Sequence, residues 1–96
     1  MIHLYIISGC PFCHKTELLL NSLKIKTRKI MVKTSDKLKY KKLHKMNTFP
    51  QILYVKNNKQ YKIGGLDELE YLISIVEIKK KFNFDYKTIS FFEKNI

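Results

Sequence analysis

Ninety-six residues, 45% of them apolar, suit one compact domain with a core of its own, without disulfide staples or a structural metal. Two cysteines are too few for a secreted disulfide framework, and no apolar run approaches the roughly 20 residues of a membrane span. A formal charge of +11, with lysines clustered in "KIKTRK" and "KTSDKLKYKKLHK", would attract polyanions. Yet Lys, Asn, Ile, Phe and Tyr are all abundant together, as an AT-rich coding sequence would produce, so a solvated basic surface is the simpler reading.

The first residues, "MIHLYIISGCP", have neither a basic leader nor a small-residue cleavage site, so a soluble, unexported, cytoplasmic protein is expected. Residues 2–7, "IHLYII", are apolar at nearly every position and run into Ser8-Gly9, the pattern of a buried strand ending in a turn. From Pro11 the period changes. Cys13, Thr16, Leu20 and Leu23 recur at spacings of three, four and three, which places them on one face of a helix running to about Lys24. Pro11 fits the first helical turn, where a missing N–H costs nothing.

Residues 25–32, "IKTRKIMV", read as a second strand, and "TSD" at 34–36 offers capping side chains to a lysine-rich helix ending near Met46. "PQILYVKN" predicts a third strand, Asn57-Asn58 a turn that tolerates positive φ, and "KQYKI" its hairpin partner. After Gly64-Gly65 a helix is expected with Leu66, Leu69, Leu72 or Ile73, and Val76 facing inward; Asp67 and Glu68 in its first turn suit the helix dipole. The apolar tail, residues 82–96, predicts a C-terminal extension in which Tyr86, Ile89, Phe92 or Glu93, and Ile96 share a helical face. The order β-α-β-α-β-β-α implies an α/β domain spanning residues 1–96, with its core at about 2–81. Its four-stranded mixed sheet would be flanked by helices, and a right-handed crossover would set the first two strands parallel. A thioredoxin-like fold satisfies this.

Both cysteines lie in "SGCPFCHKTELLL", residues 8–20. Cys10 is expected at the helix edge, where unpaired N–H groups and the helix dipole favour thiolate over thiol and lower its pKa from about 8.5 toward about 3.5–7.5. Cys13, one turn on and on the leucine face, is expected to be more buried. A thiolate attacking a disulfide forms a mixed disulfide, and a second thiol three residues along a helix can resolve it. Zinc would need two further ligands in a second pair, and His3, His14 and His44 are scattered. No metal is therefore expected. His14, next to Cys13, could tune the site electrostatically.

"CPFC" with a helix behind it, "TFP" at 48–50 and "IGGLDEL" at 63–69 together resemble the glutaredoxins, whose members carry Cys-Pro-Tyr/Phe-Cys, Thr-Val-Pro and Gly-Gly followed closely by Asp, in that order. The likeness spans roughly residues 2–78. It implies a glutathione-dependent thiol–disulfide oxidoreductase, a monomer that reduces disulfide-bonded and glutathionylated proteins with glutathione as the electron donor. By the same resemblance Cys10 is the attacking thiolate and Cys13 the resolving thiol, while Pro50 is a cis-proline facing them. Thr48 and Phe49 join Pro50 in binding glutathione, with the Phe49 backbone holding its cysteinyl part. Leu66 and Asp67 amides would hold the γ-glutamyl carboxylate. The Asp67 carboxylate, shared with Glu68, would meet the α-amine.

Two departures stand out. Relatives often place Lys or Arg three residues before the first cysteine, where this chain has Ile7, which puts glutathione affinity and the thiolate pKa in question. Lys37 is the candidate substitute for the missing cation, with Lys41 and Lys15 behind it. A thioredoxin-type reductant is the nearest rival, but those usually carry Trp before Cys-Gly-Pro-Cys and this chain has no Trp. A basic nucleic-acid module is disfavoured because no zinc finger or aromatic recognition motif accompanies the charge. An iron–sulfur cluster shared between two chains, as in some relatives, is disfavoured by Pro11.

Overall fold

The computed structural model describes the backbone of residues 1–82, with side chains described through residue 75. The expected helix in the tail and the orientation of Val76 lie outside the described residues. Strand β1, Ile2–Ile6, leads into helix α1, Pro11–Ser22, then strand β2, Thr27–Met31. A single 3₁₀ turn, Thr34–Asp36, precedes helix α2, Lys37–His44. Strands β3, Gln51–Lys56, and β4, Lys59–Gly64, form a hairpin, and helix α3, Leu66–Phe82, follows. The sheet order is β2-β1-β3-β4, with β1 parallel to β2 and antiparallel to β3, and β3 antiparallel to β4. This is the thioredoxin-like α/β arrangement with a four-stranded mixed sheet.

Alternation along the strands divides the core. Ile2, Leu4 and Ile6 on β1 and Ile52 and Tyr54 on β3 point to one face, where Cys13 and Leu20 of α1 and Leu69 of α3 close over them. Ile73 packs against the same cluster, so the inward stripe of α3 continues through it. On the opposite face Tyr5 meets the rings of Tyr40 and His44 from α2, at centroid distances of 5.2 and 4.5 Å. Burial, and then neighbouring Tyr40, push the Tyr5 phenol above its usual pKa.

His44, expected to be structural or solvated, is buried and forms part of a polar link. The fully buried Gln51 amide nitrogen donates to the Met46 carbonyl at 3.3 Å, which leaves its oxygen to accept from His44 Nδ1 at 2.8 Å. This ties the end of α2 to the start of β3. His44 Nε2 is buried without a partner.

The helix ends differ from the sequence expectation for one repeated reason. Lys24 and Lys45 both take the left-handed conformation, each with φ of 55°. Lys24 and Ile25 N–H groups donate to Asn21 and Leu20 carbonyls, and Lys45 and Met46 N–H groups to Lys42 and Lys41 carbonyls. Both are Schellman closures built on lysine instead of the usual glycine. Helix α1 therefore stops at Ser22 rather than Lys24, and Leu23, expected inward, is exposed. Helix α2 stops at His44 rather than Met46. Thr34, Ser35 and Asp36 do not supply the expected capping hydrogen bonds and instead form the 3₁₀ turn. At the hairpin, Asn57 and Asn58 both have positive φ, as expected of a two-residue turn.

Two outcomes are expected of this packing. Leu69 is fully buried between α3 and the sheet, so Leu69→Ala should destabilise the fold by about 2–5 kcal/mol in urea titration. His3 is held below its ordinary pKa of 6.5, first by burial, then by Arg28 opposite it on β2 and by the N-terminal ammonium. The folded chain thus binds fewer protons than the unfolded one just below that value. The His3 contribution to stability should be present above about pH 6.5 and be lost as pH falls below it, and His3→Gln should flatten this part of the urea-midpoint profile.

Candidate active site

The site begins where β1 ends. Gly9 turns the chain with φ of 70°, a conformation that an L side chain rarely adopts, and delivers Cys10 to the N-cap of α1 with extended φ and ψ of −105° and 106°. Pro11 follows at the first helical position. Cys10 Sγ occupies the place a capping oxygen would take and accepts the Cys13 N–H at 3.1 Å. Cys13 is buried on the core face of α1, whereas Cys10 is only partly buried. Their sulfurs are at disulfide-bonding distance, with Cα atoms 5.2 Å apart. The expected difference in exposure between the two thiols is present.

Across from Cys10 lies the loop that His44 and Gln51 anchor. The Phe49–Pro50 peptide is cis, and the Phe49 carbonyl oxygen is 3.8 Å from Cys10 Sγ. Thr48 is exposed, while Phe49 and Pro50 are buried. From the other side Gly64, with φ of 123°, leads into α3. A Cβ at Gly64 would lie 2.8 Å from Glu68 Cγ, because Glu68 folds back so that its Oε2 accepts the Gly65 N–H at 3.0 Å. That is half of a capping box, with Glu68 at the third helical position. The Glu68 carboxylate is thus engaged within its own helix, while Asp67, beside it in the first turn, is exposed.

Six of the candidate glutathione residues come together. Thr48, Phe49 and Pro50 on one wall and Leu66, Asp67 and Glu68 on the other line a groove of about 260 Å³. Phe12 and Gly65 complete it. Phe12 is the x after proline in "CPFC", a position the sequence reading left without a role, and its ring is 58% exposed at the groove. Lys37 is not among the lining residues; it is the first residue of α2. Lys15, one of the two fallback cations, sits with its Nζ 5.8 Å from the Phe12 ring centroid, beside the groove. A larger cavity of about 570 Å³ between β4 and α3, lined by Tyr61, Ile63, Tyr71 and Leu72 among others, contains neither cysteine. Among the described residues no three metal-ligating side chains gather at one point, and no helix is long and apolar enough to cross a membrane.

A pair of cysteines at the start of a helix, one partly exposed and one buried, facing a cis-proline in a thioredoxin-like fold, defines a thiol–disulfide oxidoreductase. The family follows from comparison with known proteins. A model of the family described as Glutaredoxin matches residues 2–58, more than half of the chain, and the protein belongs to the glutaredoxin family. The match includes "CPFC" and "TFP", while "IGGLDEL" lies beyond it. No curated protein matches the chain.

The N-cap geometry predicts the charge state of the reduced enzyme. With the Cys13 N–H and the helix dipole directed at its sulfur, the Cys10 thiol should titrate below the ordinary cysteine range, and Cys13 should not. Thiolate absorbance near 240 nm, followed against pH in the reduced protein and in Cys13→Ser, checks this. A Cys10 thiol still protonated well above neutrality would contradict it.

Proposed function

We propose that the protein is a glutathione-dependent thiol–disulfide oxidoreductase that reduces protein disulfides and protein–glutathione mixed disulfides, acting as a monomer in the cytoplasm. The observation that carries the reading is the groove that runs from the Cys10-facing Phe49–Pro50 peptide to the start of α3. Its two ends offer complementary groups. Backbone amides at the α3 N-terminus suit a carboxylate, and the exposed Asp67 beside them suits an amine, the pair of groups that the γ-glutamyl end of glutathione carries. The cysteinyl part would lie along Phe49, whose backbone is available because β3 starts only at Gln51. Phe49 in place of the family's valine leaves these backbone contacts unchanged. Lys15, already beside Phe12, is better placed than Lys37 to meet the remaining carboxylate.

The chemistry then follows from the two thiols. On a glutathionylated protein, the Cys10 thiolate attacks the glutathione sulfur; the S–S bond breaks, the protein cysteine leaves as a thiolate and takes up a proton, and Cys10 is left joined to glutathione. A second glutathione thiolate attacks that bond, releasing oxidised glutathione and the Cys10 thiolate. On a protein disulfide, Cys10 attacks one sulfur and the other leaves. Cys13 then attacks Cys10, frees the reduced protein and forms the Cys10–Cys13 disulfide, which two glutathione molecules reduce. The first route consumes one glutathione thiol for each mixed disulfide and the second consumes two for each protein disulfide, and both release oxidised glutathione.

The test compares Cys10→Ser and Cys13→Ser in a glutathione-coupled assay with a small mixed disulfide. Cys10→Ser should abolish turnover, and Cys13→Ser should keep at least part of it, because the first route does not need Cys13. Equal loss in both variants would leave only the dithiol route. Activity that requires a thioredoxin reductase and ignores glutathione would replace this reading with that of a thioredoxin-type reductant.

A further inference from the structure

Cys10 lies between two concavities that share no residue. One is the groove along Pro50 and α3. The other, on the β2 side of the cysteine, is a shallow depression of about 400 Å³ with Ile7, Gly9, Cys10, His14 and Met31 in its lining. We propose that this second groove is the binding site for the polypeptide half of the substrate, and that it selects polypeptides carrying acidic residues beside the reacting cysteine. The proposal rests on the glutathione-dependent reading, which assigns the first groove.

Part of its lining is apolar. Met31 is 58% exposed at the edge strand and Ile7 is half-buried beside it, so a side chain next to a substrate cysteine would find surface to cover. The one carboxylate in the lining, Glu17, is paired with Lys29 at 3.7 Å and adds no net negative charge. Just past Met31, the Val32 N–H donates to the Ile6 carbonyl at 2.7 Å, which fixes the start of the connection to α2, and exposed Lys33 is the next residue along it, two positions from the lining residue Met31. Lys33 has no carboxylate within ion-pairing distance among the described residues.

The surroundings extend the same sign. From Lys24 to Lys62 the chain carries twelve lysines and one arginine against a single carboxylate, Asp36. Those residues include β2, α2 and the β3–β4 hairpin. A field of one sign on this scale draws in anions and repels cations before contact. At the depression, which lies on the β2 edge away from the hairpin, the nearer part of that field meets the apolar surface of Met31 and Ile7 next to the nucleophile. An acidic segment flanking a cysteine fits both features, and a lysine-rich one fits neither. A nucleic acid would answer to the charge but find little to stack on, because Met31 and Ile7 offer no aromatic face and His14 is the one aromatic ring in the lining.

The experiment uses the full chain, glutathione, and two glutathionylated peptides that differ only in having Glu or Lys on both sides of the cysteine. The Glu peptide should show kcat/KM about tenfold or more above the Lys peptide at low salt, and the difference should shrink as salt shortens the screening length. Lys33→Glu and Met31→Glu, both exposed substitutions, should each cut that preference severalfold while turnover of a small neutral mixed disulfide stays unchanged. The neutral substrate reports folding and the glutathione reaction separately. If the wild type fails on it, the assigned function is wrong; if it succeeds but treats both peptides alike, only the second site is wrong. A preference that survives both substitutions would also overturn the proposal, since it would then come from the lysines at large. So would a single-stranded oligonucleotide that binds at physiological salt to a protein showing no peptide preference.

Discussion

The hydrogen bond from the Cys13 N–H to Cys10 Sγ joins the folding of α1 to its chemistry. A helix start leaves N–H groups without partners, and most helices satisfy one of them with an oxygen from Ser, Thr, Asp or Asn. Here sulfur takes that place, and it accepts far better as a thiolate than as a thiol. The same contact that begins the helix therefore favours the ionised form of the residue that must attack. It also biases the redox couple, because stabilising the reduced thiolate makes the disulfide easier to reduce. Gly9, Pro11 and the burial of Cys13 serve this one placement. Gly9 supplies the positive φ that brings the chain round, Pro11 starts the helix with no N–H to satisfy, and Cys13 on the core face holds its own N–H under Cys10.

The opposite wall depends on a polar link inside the core. Phe49 and Pro50 belong to no strand, so their position relative to Cys10 is set by what holds the residues on either side. Gln51 is the first residue of β3 and is fully buried. Its amide bonds to Met46 and His44 span the loop that carries Thr48, Phe49 and Pro50. Tyr40 stacks on His44 and Tyr5 packs against it at a tilt, and Tyr5 is on β1, the strand that leads to Cys10. Both walls of the site are thus referred to the same central strand. Displacing His44 would move Pro50 relative to the sulfur without touching either cysteine.

What could be read from the sequence and what could not differ in kind. Strands declared themselves through alternation, as in Ile2, Leu4 and Ile6, and the hairpin through Asn57-Asn58. The cysteine spacing declared both the helix face and the reaction class. Helix ends did not, because lysine at the left-handed position leaves no compositional mark; Lys24 and Lys45 do the work usually advertised by glycine. The depth of His44 was hidden for a related reason. Helix α2 touches the sheet mainly through Tyr40 and His44, four residues apart, and so narrow a stripe is lost among lysines. Lys37 was placed near the site by sequence analogy, whereas the groove meets α1 and α3 and takes no lining residue from α2. Glu68 read as one of two equivalent carboxylates until its turn back onto Gly65 separated them.

That separation bears on the charge layout of the whole enzyme. The first turns of α3 hold Asp67, Glu68 and Glu70 in a chain otherwise dominated by lysine. Glu68 is occupied by its own backbone, which leaves Asp67 as the accessible negative group on the groove. Cys10 therefore sits between a small negative end at α3 and a broad positive field from β2 and α2. A reactive thiolate on that boundary is itself favoured by the positive side, while an amine-bearing ligand is drawn to the negative one. Of the two carboxylates on the groove only Asp67 is left to face a ligand, while Glu17, on the other side of Cys10, is paired with Lys29. The accessible charge on Asp67 gives a zwitterionic ligand only one favourable direction along the groove.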